Sequence, residues 1–137
     1  MENKPKIRYG WLKGMYVYTA LGAGLSGLGM ILIPETFASI WKMPVQDPVI
    51  YGIAGSVFLA FGLVSIFGLK SPLKFAPVLL LQMTYKIIWF IGVILPMVFK
   101  GQIPWYALIF IMIFATYIIG DVIAIPFNYL LKKQLTE

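Results

Sequence analysis

The chain has 137 residues, 61% of them hydrophobic and only 12% charged, with a net charge of +6 and neither cysteine nor histidine. Soluble domains carry about 25% charged residues, so the solvent for this chain is lipid rather than water. The missing Cys and His exclude disulfides, thiol redox chemistry, His- or Cys-ligated metals and ordinary haem ligation; no cofactor or metal is implied, and acid–base work falls to Lys, Asp, Glu or Tyr.

The segment Met1–Lys13 is polar and basic, with Lys4, Lys6, Arg8 and Lys13. A first apolar span follows over about Met15–Ile33. Signal-peptide cores run to about 7–15 residues; this stretch is longer and is followed by further spans, so it reads as a retained helix. Gly22, Ser26 and Gly29 fall on one stripe of it, and Ala20 and Gly24 form another small pair. In lipid such spacing lets backbones approach closely, because packing drives association there. The alternative is that the glycines leave a cleft for a ligand.

Pro34–Pro48 is too short and polar to span. Pro34, Glu35 and Thr36 suit a helix start, and Phe37, Ile40 and Trp41 give an apolar face for a short interfacial helix with Trp41 as anchor. A packed connecting loop is the other reading. The second span covers about Val49–Leu69, where Gly52 and Ser56 form a small pair placed to meet the first span. Lys70–Lys74 reads as a tight basic turn.

The third span, about Phe75–Phe99, holds Lys86 near its middle, and the fourth runs over about Trp105–Phe127 with Asp121 toward its end. Lys4, Lys6, Arg8, Lys13, Lys70, Lys74, Lys132 and Lys133 then fall on one side, against Lys42 and Lys100 on the other. The positive-inside rule puts both termini and the middle loop of this integral membrane protein in the cytoplasm. The cations flank apolar spans and do not interleave with aromatics, so nucleic acid is not a partner. The fold class is an all-α, four-transmembrane-helix bundle in one domain.

A lysine at the centre of a span costs roughly 2.5–3.5 kcal/mol on insertion scales unless it is paired or wetted. Asp121 is the available partner: side chains tilt toward the N-terminus of their own helix, so on antiparallel neighbours Lys86 and Asp121 lean toward one another. Gln82 lies one turn below Lys86, Tyr85 beside it and Trp89 three residues above, while Tyr117, Asp121, Ala124 and Asn128 share a stripe on the fourth span. Pro96 and Pro126 loosen their helices and free backbone carbonyls. Lys86, Asp121, Gln82, Trp89, Tyr117 and Tyr85 are therefore the candidate ligand-binding residues. A structural ion pair, or an Asp121 that draws water in from the interface, would use the same residues. No phosphate loop, nucleophile elbow or H-E-x-x-H is present.

The run GAGLSGLGMILIPETFASIW, followed by YGIAGSVFLAFGLVSIFGL, resembles the DoxX-like superfamily of small four-helix bacterial membrane proteins. The resemblance implies a left-handed four-helix bundle and, for some relatives, membrane partnership with oxidoreductases. It carries over no site residue.

Three functions follow as expectations. The first is binding or carrying an amphipathic or lipophilic ligand (a lipid, a quinone or similar) in a pocket with Lys86 and Asp121 at its polar end. The second is an accessory or scaffold subunit of a membrane protein complex. The third is a dimeric proton- or ion-coupled transporter. An enzyme ranks behind these, since nothing names a reaction.

Overall fold

A computed structural model describes residues 6–133, so Lys4 lies outside the described residues. Within them the protein is helical apart from short connections and the ends, without a strand. The elements are α1 (Tyr9–Leu32), α2 (Pro34–Ile40), α3 (Pro48–Lys70), α4 (Pro72–Trp89), a π-helical turn (Phe90–Ile94), α5 (Leu95–Lys100), α6 (Trp105–Ala124) and α7 (Phe127–Leu130). Among the described residues, four helices are long and apolar enough to cross a membrane: α1, α3, the continuous run Pro72–Lys100, and α6. These are the first to fourth spans of an integral membrane protein. Each packs on its neighbour in sequence, the first closes onto the fourth, and α1 touches all three others.

The span ends differ from the sequence expectation for local reasons. The first helix starts at Tyr9, well before Met15, because Leu12, Met15 and Tyr16 join the core with Leu79, Tyr117 and Ala124. The Tyr16 hydroxyl also donates to the Pro72 carbonyl at 2.5 Å. The third span starts at Pro72 rather than Phe75, so the Lys70–Lys74 turn shrinks to Ser71. Proline is at home at the first helical position, where its missing N–H would have no partner anyway.

The fourth span stops at Ala124, short of Phe127. Ile125 precedes Pro126 and is extended (φ −69°, ψ 126°), as the steric clash with the proline ring demands. The carbonyl of Ile123 accepts from Arg8 Nη1 at 3.1 Å. Asn128 is therefore off the helix and exposed, outside the stripe it was expected to share with Tyr117 and Asp121. Pro96 acts where expected: it lacks an N–H and its ring crowds the carbonyl of Gly92. The chain relieves the clash through the π-helical turn Phe90–Ile94.

The second span opens on a cap, with Asp47 Oδ1 accepting from the amides of Val49 and Ile50 at 2.9 and 3.0 Å. Its seam with α1 uses small residues, but not the expected pair. Gly52 and Ser56 face away from α1; a Cβ added at Gly52 would meet nothing within 4 Å. Gly55 and Gly62 make the seam. A Cβ on Gly62 would run into the backbone of Gly24, and one on Gly27 into the Gly55 carbonyl and the Leu59 amide. Two backbones meet there with no side chain between them, the arrangement that substitutes for a hydrophobic driving force in lipid.

Pro34–Pro48 is helical only through Ile40. Ile40 is exposed, whereas Phe37 and Trp41 turn inward: the Phe37 ring packs over Gly29, and Trp41 sits 6.2 Å from Phe110. The expected apolar face is thus divided, two of its three residues closing the bundle.

Candidate functional site

Two polar layers lie inside the bundle, one helical turn apart. The lower is built from Thr19 on α1, Gln82 on α4 and Asp121 on α6, each fully buried. Gln82 Nε2 donates to Thr19 Oγ1 at 3.1 Å and to Asp121 Oδ2 at 3.2 Å. The Thr19 hydroxyl donates onward to the Met15 carbonyl at 2.7 Å. One oxygen of each terminal group, Asp121 Oδ1 and Gln82 Oε1, is buried with no partner. Three helices are tied together by one amide, and the tie leaves acceptor capacity in the core.

The upper layer is Lys86 and a box of rings. Lys86 is 1% exposed, so its ammonium must be satisfied inside the protein. It donates to the Tyr85 hydroxyl at 2.8 Å. Its nitrogen also lies 4.3 Å from the centroid of the Tyr85 ring, 4.5 Å from that of Tyr117 and 4.9 Å from that of Phe114. Ring faces carry negative quadrupole density and attract a desolvated cation by roughly 2 kcal/mol in good cases. Of the contacts open to Lys86 and Asp121, a direct bond is not formed: the ammonium bonds to Tyr85 and the carboxylate to Gln82. Four rotatable bonds let the lysine stem swing its charge toward the rings, away from the carboxylate a turn below.

Above the ammonium is a cavity of about 220 Å³. Lys86 and Tyr117 form its floor, and Phe37 and Trp41 from the α2 region its roof. The first span contributes Tyr18, Gly22, Ser26 and Met30, and the fourth contributes Phe110, Ile113, Phe114 and Tyr117. Both sets follow helical spacing, one i, i+4 stripe and one i, i+3, i+4, i+7 stripe. The aromatic rings form a continuous line from roof to floor: Trp41 to Phe110 at 6.2 Å, Phe110 to Phe114 at 6.0 Å, and Phe114 to Tyr85 at 6.2 Å.

The lateral wall between the first and fourth spans is a stacked pair. Tyr18 and Tyr117 lie 4.0 Å apart and within 2° of parallel. The Tyr117 hydroxyl donates to the Tyr18 carbonyl at 3.0 Å, and the Tyr18 and Thr116 hydroxyls bond at 2.6 Å. This fit requires Gly22, since a Cβ there would overlap the Tyr117 hydroxyl. Close packing and the wall of the cavity thus meet at the same glycine.

Of the six residues singled out in the sequence, Lys86, Tyr85 and Tyr117 line the cavity. Gln82 and Asp121 stand beneath it in the lower layer. Trp89 does not line it; the indole packs edge-on behind Phe114 at 5.0 Å. Sequence reasoning missed Thr19, Tyr18 and Phe114. The signal that could have found them is register: Tyr18 precedes Gly22 by four residues, and Phe114 precedes Tyr117 by three. Chemically, the floor offers the two ammonium N–H groups left after the bond to Tyr85, under an apolar, aromatic vault. Such a floor can donate to a carbonyl or an anionic group, and the vault can pack against a flat apolar surface. Comparison with protein-family models, curated proteins and solved structures finds no match to this chain.

Proposed function

We propose that this small membrane protein binds or carries an amphipathic lipophile, a lipid or quinone-like molecule, inside the bundle, with a carbonyl or anionic head on Lys86 and an apolar body against the rings above. The single observation that carries the reading is a fully buried ammonium at the floor of an otherwise apolar cavity. Convergent polar groups in an apolar pocket are the usual mark of a small-molecule site. The size limits the guest: a dry cavity of roughly 150 Å³ holds benzene, so about 220 Å³ takes one substituted ring or the head of a longer molecule whose tail extends beyond it. Asp121 serves the site indirectly, as the counter-charge one layer below.

The distribution of cations supports an orientation with both termini in the cytoplasm. Lys6, Arg8, Lys13, Lys70, Lys74, Lys132 and Lys133 stand at one end of the spans, and Lys42 and Lys100 at the other. Residence in a bacterial cytoplasmic membrane and kinship with the DoxX-like proteins belong to the same proposal, supported by the Gly-rich first span and the helix that starts at Pro34.

Purification in mild detergent followed by mass spectrometry of extracted lipophiles tests the site. Wild-type protein is expected to retain a carbonyl- or carboxylate-bearing lipophile, and Lys86→Met to lose it at least tenfold while keeping its helical content. Equal retention by the two proteins would remove Lys86, and with it the proposed function.

A further inference from the structure

We infer that the outer face of the seam between α1 and α3 holds a second site, for a single glycerophospholipid with an amine-bearing head group, at the membrane interface on the α2 side. The site is distinct from the Lys86 cavity. It consists of two depressions that meet at one residue, Tyr51.

The first depression is an apolar groove of about 670 Å³ that runs down the bundle surface past Gly52, Ser56, Val57 and Ala60. Its floor is open because Gly52 has no side chain and nothing stands within 4 Å of where a Cβ would be. The second is a pocket of about 500 Å³ under the segment that links α2 to α3, with Glu35, Ser39 and Gln46 on its wall. Pro34, Pro48 and Tyr51 belong to both. An apolar trough that continues into a polar pocket at the start of a transmembrane helix has the shape of a phospholipid: acyl chain below, head group above.

Tyr51 supplies the observation that points to a ligand. It is 6% exposed, and its hydroxyl is buried without a hydrogen-bond partner. A buried hydroxyl left unpaired is expensive, and Tyr51 is a residue that both depressions share. Tyr51 lies in the first turn of α3, the depth at which a lipid presents its ester carbonyls. A lipid ester carbonyl is free to accept. The polar pocket then selects the head group: its wall carries the carboxylate of Glu35 and no lysine or arginine, which favours an ammonium over an uncharged glycerol head.

The test is native mass spectrometry of the full-length protein in micelles spiked with equal amounts of phosphatidylethanolamine and phosphatidylglycerol. Wild type is expected to hold one lipid molecule, predominantly phosphatidylethanolamine. Tyr51→Phe, which keeps the ring and removes the donor, is expected to lower occupancy about fivefold, the worth of one hydrogen bond. Gly52→Leu, whose Cβ enters open space, extends into the groove and is expected to lower occupancy tenfold or more. Glu35→Gln is expected to equalise the two lipids with little loss of total binding. Lys86→Met should leave this lipid in place, which separates the site from the cavity. Equal occupancy in wild type, Tyr51→Phe and Gly52→Leu would overturn the proposal, as would no bound lipid in wild type. A dimer lost in Gly52→Leu would also overturn it, by giving the face to a second copy. Should the leucine variant fail to fold, the Tyr51→Phe result decides.

Discussion

Replacing Gly22 by alanine adds one methyl group, and the geometry states where it goes. The new Cβ overlaps the Tyr117 hydroxyl, while the next ring atom, Cζ, is 3.4 Å away, ordinary contact distance. The phenol must therefore move, and three interactions move with it. The bond to the Tyr18 carbonyl at 3.0 Å is worth about 0.5–1.5 kcal/mol. The stack on Tyr18 at 4.0 Å adds about 0.5–1.5 kcal/mol beyond its buried area. The ring face 4.5 Å from the Lys86 nitrogen contributes roughly 1–2 kcal/mol. Against these, alanine gains about 1 kcal/mol over glycine inside a helix. The expected net loss is about 1–4 kcal/mol.

The decisive experiment is a double-mutant cycle in denaturant-titrated mixed micelles. Tyr117→Phe alone loses only the hydroxyl bond, about 1 kcal/mol. Because the clash is with that oxygen, Gly22→Ala combined with Tyr117→Phe should do little further harm. The two changes are expected to couple by about 1–4 kcal/mol, with the double variant more stable than the sum of the singles predicts. Strict additivity would refute the claim that Gly22 is small in order to seat the phenol. The same cycle read by ligand retention tests whether the stacked pair shapes the cavity.

Three further outcomes follow from the same geometry. Gly62→Val drives a side chain into the Gly24 backbone and should cost more than about 3 kcal/mol or block assembly, since a packed seam has no room for added atoms; Gly14→Ala, in open space, should be neutral or stabilising in the same melting assay. Asp47→Ala removes the acceptor for two α3 amides and should cost about 1 kcal/mol, most of it restored by Asp47→Ser. Lys86→Met leaves the buried Asp121 without its counter-charge and should cost about 3–5 kcal/mol, most of it recovered when Lys86→Met is combined with Asp121→Asn. No recovery in the double variant would mean that the ring contacts of the ammonium, and not its charge balance with Asp121, set the cost.

Composition and spacing alone dictate how this chain answers its solvent. A chain this apolar must form helices that satisfy their own backbones, and the prolines, glycines and basic flanks divide it into four crossings. The depth of Lys86 and Asp121 was equally legible, since rise per residue is fixed. So was the role of Pro96, which removes a donor wherever it stands. Which neighbour each buried group takes became visible only with the helices packed together. The Gly24–Gly62 and Gly27–Gly55 approach sets how far α1 is rotated against α3; that choice exposes Gly52, leaves Tyr51 without a partner and brings Tyr18 over Tyr117. Lys86 likewise had a carboxylate and three rings within reach, and a sequence read one helix at a time cannot rank them. The outcome rests on distances across the bundle of a few ångströms, fixed when four helices pack against one another and not before.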